Sequence, residues 1–305
     1  MKKAGLGILI SLLTTGVFGQ DVPKPASNDN TLLWKISGNG LEKPSYLFGT
    51  IHMLCSDQAY LSESLKTAIR NCDQVYLEVD MDNLFEMLGL LKSMKMNGDT
   101  TLADLLSQED YDLVKDYFEK NSSLLPFSML ETYKPMLAAS TLLEASVNCE
   151  SAVAMEQLIM EEAKEQKKTI NGLETMAYQM SIFDSIPYGV QAKQLTAYIK
   201  KLESGEDDNS EYDAMVDAYK NQDLGKIEKI TVSSEMGMAD YSDLLLYNRN
   251  RNWVKKLKGI LPGKSLVIAV GAGHLAGKNG LIDLLRKAGY RLTPIDNTAR
   301  KTTTI

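Results

Sequence analysis

Short strand-like runs concentrate near both ends of the chain, and helical periodicity fills most of what lies between. Leu32-Leu33-Trp34-Lys35-Ile36 reads as a first strand, Asn39-Gly40 as a turn and Tyr46-Leu47-Phe48 as a second strand, which together predict a hairpin. Leu65, Ala68 and Ile69 share one face of a helix that starts at Ser62. Gln74-Val75-Tyr76-Leu77-Glu78-Val79-Asp80 returns to strand, and alternation puts Glu78 and Asp80 on one side with Leu77 and Val79 on the other. From 82 to about 168 the spacing is helical, first through Leu84, Met87, Leu88 and Leu91, then through Leu102, Leu105, Leu106, Leu113, Val114 and Tyr117. The methionines of this region read as adaptable core packing. A further helix from Ser151 carries Val153, Leu158 and Ile159 and runs into the charged stretch 161–168, a solvated face.

Thr169-Ile170-Asn171-Gly172-Leu173-Glu174-Thr175 predicts a short strand leading into a helix that carries Gln179. Helical pattern then continues to about 220, broken by Gly205-Glu206-Asp207-Asp208-Asn209, an exposed loop without the alternation or closing Glu of a calcium site. Tyr247-Asn248-Arg249-Asn250-Arg251-Asn252-Trp253 begins or lies in a helix. Ser265-Leu266-Val267-Ile268-Ala269-Val270 is apolar throughout, as a strand buried on both faces requires. Leu281, Ile282, Leu284 and Leu285 form an amphipathic helix closed by Gly289, and Tyr290 to Ile295 is a last strand. Strand, loop, helix and strand in that order predict a parallel pair joined by a crossover. The expectation is an α/β protein with a central mixed, largely parallel β-sheet flanked by helices. It forms one domain over about 31–297, with helical insertions at about 82–168 and 176–260 and a short tail at 298–305.

The first residues stand apart from that fold. Met1-Lys2-Lys3 and the uncharged apolar run from Ala4 to Phe18 have the form of a signal peptide at 1–19, followed by a polar linker at 20–30. An uncleaved anchor is the alternative, but the run is short for a membrane span, and no later stretch is apolar enough. The chain reads as exported, to the periplasm or beyond. Without Lys2 and Lys3 the formal charge moves from −7 to −9. An acidic chain lacking basic clusters argues against nucleic acid and anionic membranes as partners. Cys55, Cys72 and Cys149 allow one disulfide and supply no zinc-type spacing.

Candidate chemistry centres on the only two histidines. His52 ends Gly49-Thr50-Ile51-His52 and His274 ends Gly271-Ala272-Gly273-His274, each directly after a strand. Gly49, Gly271 and Gly273 let the backbone turn and approach a bound group without a Cβ clash. Glu78, a carboxylate in an otherwise buried run, calls for a cationic or metal partner, unless it is a strand-end acid facing water. His52, Glu78 and His274 can together hold one divalent cation of the Mn, Co or Zn type, which would activate water for hydrolysis. Alternatively, one histidine acts as a general base without metal, or both are satisfied residues at strand–loop junctions. Gly271, Gly273 and Gly277 depart by one residue from a dinucleotide fingerprint, and no Gly-x-Ser-x-Gly elbow is present. Cys55 as nucleophile would have to rely on His274 as its base.

Several blocks in order, Leu33-Trp34-Lys35-Ile36-Ser37-Gly38, Tyr46 to His52, Leu77-Glu78-Val79-Asp80, Gly172-Leu173-Glu174-Thr175 with Gln179, Arg249-Asn250-x-x-Trp253 and Val270 to Gly277, resemble the TraB/GumN family. That resemblance implies a sheet with surrounding helices, similar to erythromycin esterase and the ChaN haem-binding lipoproteins. It also implies kinship with the Tiki proteins, metal-dependent proteases with paired Gly-x-x-His motifs and an essential glutamate. On that basis Glu78, Glu174 and Arg249 are catalytic or cleft residues, and a peptide or protein is the substrate. The alternatives are a non-catalytic peptide- or haem-binding protein and a metal-independent esterase-like hydrolase. Many relatives open a mid-chain helix with Gly-hydrophobic-Asp, where Asn148-Cys149-Glu150 stands in this chain.

Overall fold

The computed structural model describes residues 29–121, 125–146, 149–205, 210–233 and 239–299. The predicted signal peptide, most of the linker, positions 206–209 of the acidic loop, Asn148 and 300–305 of the tail lie outside them. Among the described residues eight strands form two sheets: β1 (Leu33–Ser37), β2 (Ser45–Thr50), β3 (Leu54–Cys55), β4 (Gln74–Leu77), β5 (Ala152–Val153), β6 (Thr169–Gly172), β7 (Leu266–Gly271) and β8 (Arg291–Ile295). The main sheet runs β6-β4-β7-β2-β1-β8, and β3 pairs with β5. Neighbours from β6 to β2 are parallel, whereas β1 lies antiparallel to both β2 and β8. The protein is therefore α/β with a mixed, mostly parallel sheet flanked by helices, as the pattern predicts.

Strand order does the positioning. All four parallel strands end on one side of the sheet, at Gly172, Leu77, Gly271 and Thr50. Ligand sites of open α/β sheets form outside such carboxyl ends, where the loops diverge. β2 and β7 are direct neighbours, with Gly49 opposite Val270 and Thr50 opposite Gly271. The two Gly-x-x-His segments thus leave the sheet side by side although more than two hundred residues separate them in sequence.

The fully buried β7 is the centre of the main core, flanked by Leu47, Phe48, Val75 and Leu77. A second core lies within the helical insertion, where Leu102, Val114, Phe118 and Leu130 pack with Leu195 and Ile199 of the Tyr188–Ser204 helix. The helix expected after Ser62 spans Glu63–Asn71 and buries Leu65, Ala68 and Ile69, with the Ser62 hydroxyl capping its first turn.

Four local expectations change. β8 is parallel to β7 in direction but is not its partner: β2 and β1 stand between them, because the hairpin offers one edge to each. β4 stops at Leu77, so Glu78 and Asp80 sit on the segment after it, and Asp80 turns its carboxylate to the Asp82 N–H. The mid-chain helix begins at Met155, not Ser151, because Ala152 and Val153 find ladder partners in Cys55 and Leu54. In the Leu84–Ser93 helix, Leu84 and Met87 face solvent; the helix rests on Met176–Phe183 and its Glu86 accepts the Met176 N–H at 2.7 Å. Leu88 and Leu91 side chains lie outside the description. No described helix is long and apolar enough to cross a membrane.

Gly49 is where the two motif segments touch. A Cβ at this position would meet Leu275 Cδ2 at 3.0 Å and Ala272 Cα at 3.1 Å. Gly49→Val is therefore expected to lower stability by about 1–3 kcal/mol through overpacking, read by urea denaturation.

Candidate active site

Beyond the parallel strand ends, four predicted residues stand in the order of the sheet. Glu174 follows β6, Glu78 follows β4, His274 follows β7 and His52 follows β2. Arg249 reaches them from the Asn248–Ile260 helix, on whose buried face Arg249, Asn250, Trp253 and Leu257 lie. Its Nη2 pairs with Glu78 Oε2 and lies 2.7 Å from Glu174 Oε1, while Nε donates to that same Glu174 oxygen at 2.9 Å. Glu174 Oε2 accepts from the Trp253 indole N–H at 2.9 Å, and the guanidinium stacks 4.7 Å from the Trp253 ring. Both oxygens of Glu174 are thus occupied by groups that orient Arg249.

Glu78 is satisfied from several directions. Oε1 accepts the Gly271 N–H at 2.8 Å, and Oε2 accepts from Gln179 Nε2 at 3.1 Å in addition to Arg249. Its side chain is 9 % exposed, yet its pKa falls to about 2: burial opposes ionisation, but His274, Arg249, His52 and the Gly271 N–H outweigh it. Burial holds His274 at about 4, against the pull of Glu78, so the imidazole is neutral at pH 7. With His274 neutral, Arg249, His52 and the Gly271 N–H keep Glu78 ionised there. His274 Nδ1 sits 2.7 Å from Asn250 Oδ1, which fixes the proton on Nδ1 and turns the Nε2 lone pair toward Arg249 Nη1 at 3.3 Å and Glu78 Oε1 at 3.8 Å.

His52 is built differently. Its ring is 72 % exposed, but Nδ1 donates at 3.0 Å to Glu156, a buried carboxylate that also accepts from Thr50 Oγ1. The hydrogen bond with Glu156 raises the His52 pKa, against the cost of partial burial, and water at the open edge screens the pairing. The charges of Glu78 and Arg249 also reach His52, the first raising and the second lowering its pKa. At Cys55, a hydrogen bond with Cys149 pushes the thiol up to about 11.

The glycines serve packing. None of Gly49, Gly271 and Gly273 has a positive φ. Instead, a Cβ on Gly271 would crowd Glu78 Oε1 at 3.3 Å, and one on Gly273 would meet Thr231 at 2.9 Å.

The chemistry of the donors suits a divalent ion. Both imidazoles have Nδ1 pinned by an oxygen, as ligating histidines do, and a carboxylate lies beside one of them. Their placement keeps them apart: among the described residues no group of three His, Cys, Asp or Glu side chains stands ready to hold an ion. Arg249 occupies the cation position between Glu78 and His274.

The sequence pattern of the TraB/PrgY/gumN family matches residues 32–294. The chain belongs to this family. Among its relatives are the metalloprotease TIKI1 of Danio rerio, 24 % identical over 88 % of the chain, and the metalloprotease TIKI2 of the same species, 23 % identical over 89 %. The uncharacterized protein YbaP of Shigella flexneri is 24 % identical over 79 % of the chain and 88 % of its own length. The chain spans 64 % of the length of TIKI1 and 62 % of TIKI2.

Glu156 and Asn250 carry positioning roles that the sequence pattern did not assign. Glu156 had a signal: it lies on the buried stripe of its helix with Met155, Ile159 and Ala163, an acid where an apolar residue is the norm. That helix opens with Ala154-Met155-Glu156.

Removing Arg249 leaves Glu78 and Glu174 buried beside each other without a cation. Arg249→Met is expected to cost about 3–5 kcal/mol in urea unfolding. Combining it with Glu78→Gln and Glu174→Gln is expected to recover part of that loss.

Proposed function

We propose that this TraB/PrgY/gumN protein is an exported hydrolase of peptide bonds that works with a divalent ion, Mn, Co or Zn, held by His52, Glu78 and His274. The observation that carries the reading is that two histidines with pinned Nδ1 atoms and an ionised buried carboxylate all follow the ends of neighbouring parallel strands. The metalloproteases among the relatives supply the reaction class. The bound ion supplies a polarised carbonyl and an activated water.

The remaining roles follow from this chain's own residues. Glu156 holds the His52 ring through Nδ1 and leaves Nε2 for ligation, and Asn250 does the same for His274. Glu174 and Trp253 hold the Arg249 guanidinium beside the cleft. There its charge would face a carbonyl oxygen that turns anionic or a substrate carboxylate. Glu174 holds Arg249 in this scheme and takes no proton itself.

One observation favours a second reading. Arg249 already supplies positive charge beside Glu78 and His274, as a metal-independent hydrolase would need. Calorimetry of chelator-stripped protein against Mn²⁺, Co²⁺ or Zn²⁺, alongside cleavage of labelled peptides, separates the two. One saturable site, lost in His52→Ala and His274→Ala together with cleavage, is the expected result. Cleavage that persists in chelator selects the second reading, and peptide or haem binding without turnover under any of these metals overturns both.

Glu156→Gln keeps the shape of the side chain but removes its charge from His52. Metal affinity is expected to fall about 10–100-fold, with the circular dichroism spectrum unchanged.

A further inference from the structure

Two of the three cysteines meet at the base of the helical insertion, next to the candidate site. Cys55 lies on β3 and Cys149 three residues before β5, and these strands pair with Cys55 opposite Ala152. The strand ends are tied beyond the ladder as well: the Ser56 N–H donates to Ser151 O at 3.0 Å, and the Ser56 and Ser151 hydroxyls are 2.6 Å apart. The Cys149 thiol also turns back to Ser151 O at 3.3 Å, which folds its side chain toward the strand pair. The Cys149 thiol is near enough to act on that of Cys55 as a hydrogen-bonding partner, and both residues are partly open to solvent. Cys72, by contrast, is buried and donates to Ile69 O at 3.2 Å.

We infer that Cys55 and Cys149 form a disulfide that closes the segment between them and clamps β3 to β5. The β3–β5 ladder and the Ser56–Ser151 contacts hold the two cysteines near each other without help from the bond, so bridging needs only a small approach to S–S bonding distance. The clamp bears on the candidate site through the chain itself. His52 lies three residues before Cys55, and Glu156 three residues after Val153, while the Met155 N–H donates to Ile51 O at 3.1 Å. Fixing β3 to β5 therefore fixes the two segments that carry the His52–Glu156 hydrogen bond. The bridge also removes Cys55 from any nucleophilic role.

The oxidant is an external disulfide such as glutathione disulfide or the disulfide of a thiol oxidase. One thiolate of the pair attacks it, forms a mixed disulfide and releases one thiol. The second cysteine then attacks the mixed disulfide and releases the other thiol, so two electrons and two protons pass to the oxidant.

Full-length protein incubated with glutathione disulfide, alkylated under native conditions and digested gives the test by mass spectrometry. The expected product is a cross-linked pair of peptides holding Cys55 and Cys149, two hydrogens lighter than their sum, with Cys72 alkylated only after unfolding. Reduction is expected to lower Tm by about 5 °C or more, since the closed loop is long. In Cys55→Ser and Cys149→Ser the Tm is expected not to respond to reductant, whereas Cys72→Ser behaves like the parent. Recovery of both thiols alkylated after oxidation, or a bridge that includes Cys72, overturns the inference. A parent Tm indifferent to reductant overturns the clamp.

Discussion

One buried arginine organises the cleft. Glu78 and Glu174 are carboxylates taken out of water, and an isolated buried charge costs several kcal/mol. Arg249 meets both with a planar fork of donors, and Trp253 stacks on it while holding the second oxygen of Glu174. The cluster ties together the loop after β4, the loop after β6 and the Asn248–Ile260 helix, three pieces far apart in sequence. Because the guanidinium charge is independent of pH, Glu78 stays ionised and His274 stays neutral across the physiological range. A divalent ion would have to compete with an internal cation for the same carboxylate, and that competition is the central physical question of this site.

The two histidines occupy unlike surroundings despite their matching motifs. His274 is buried against Trp253, 4.6 Å between ring centroids, and burial depresses its basicity. His52 faces solvent and leans on Glu156, which raises its basicity. A neutral imidazole and a readily protonated one thus follow the ends of neighbouring strands. Two titrating groups whose environments push them apart are a recurrent mark of acid–base sites.

Close packing matters as much as charge. Gly49 lets Ala272 and Leu275 lie against β2, and Gly271 leaves room for Glu78 beside β7. These contacts bring the motif segments near enough for a shared cleft, which a Cβ at either position would push open. With no positive φ at any of them, these glycines give proximity and not turning freedom.

The sequence by itself determined the strands and helices, because their periods of two and 3.6 are local, and it singled out His52, Glu78, Glu174, Arg249 and His274, because histidine scarcity and acids within apolar runs are visible without a structure. It also carried the family, through motifs spread along most of the chain. It did not determine that β2 and β1 separate β7 from β8, since strand order depends on which edges compete for partners. Nor did it reveal Glu156 on His52, Asn250 on His274, or the Cys55–Cys149 contact. Those are pairings between residues distant in sequence or placed by a helix face. Only the tertiary structure decides them, because each depends on how separate elements dock rather than on the pattern within any one of them.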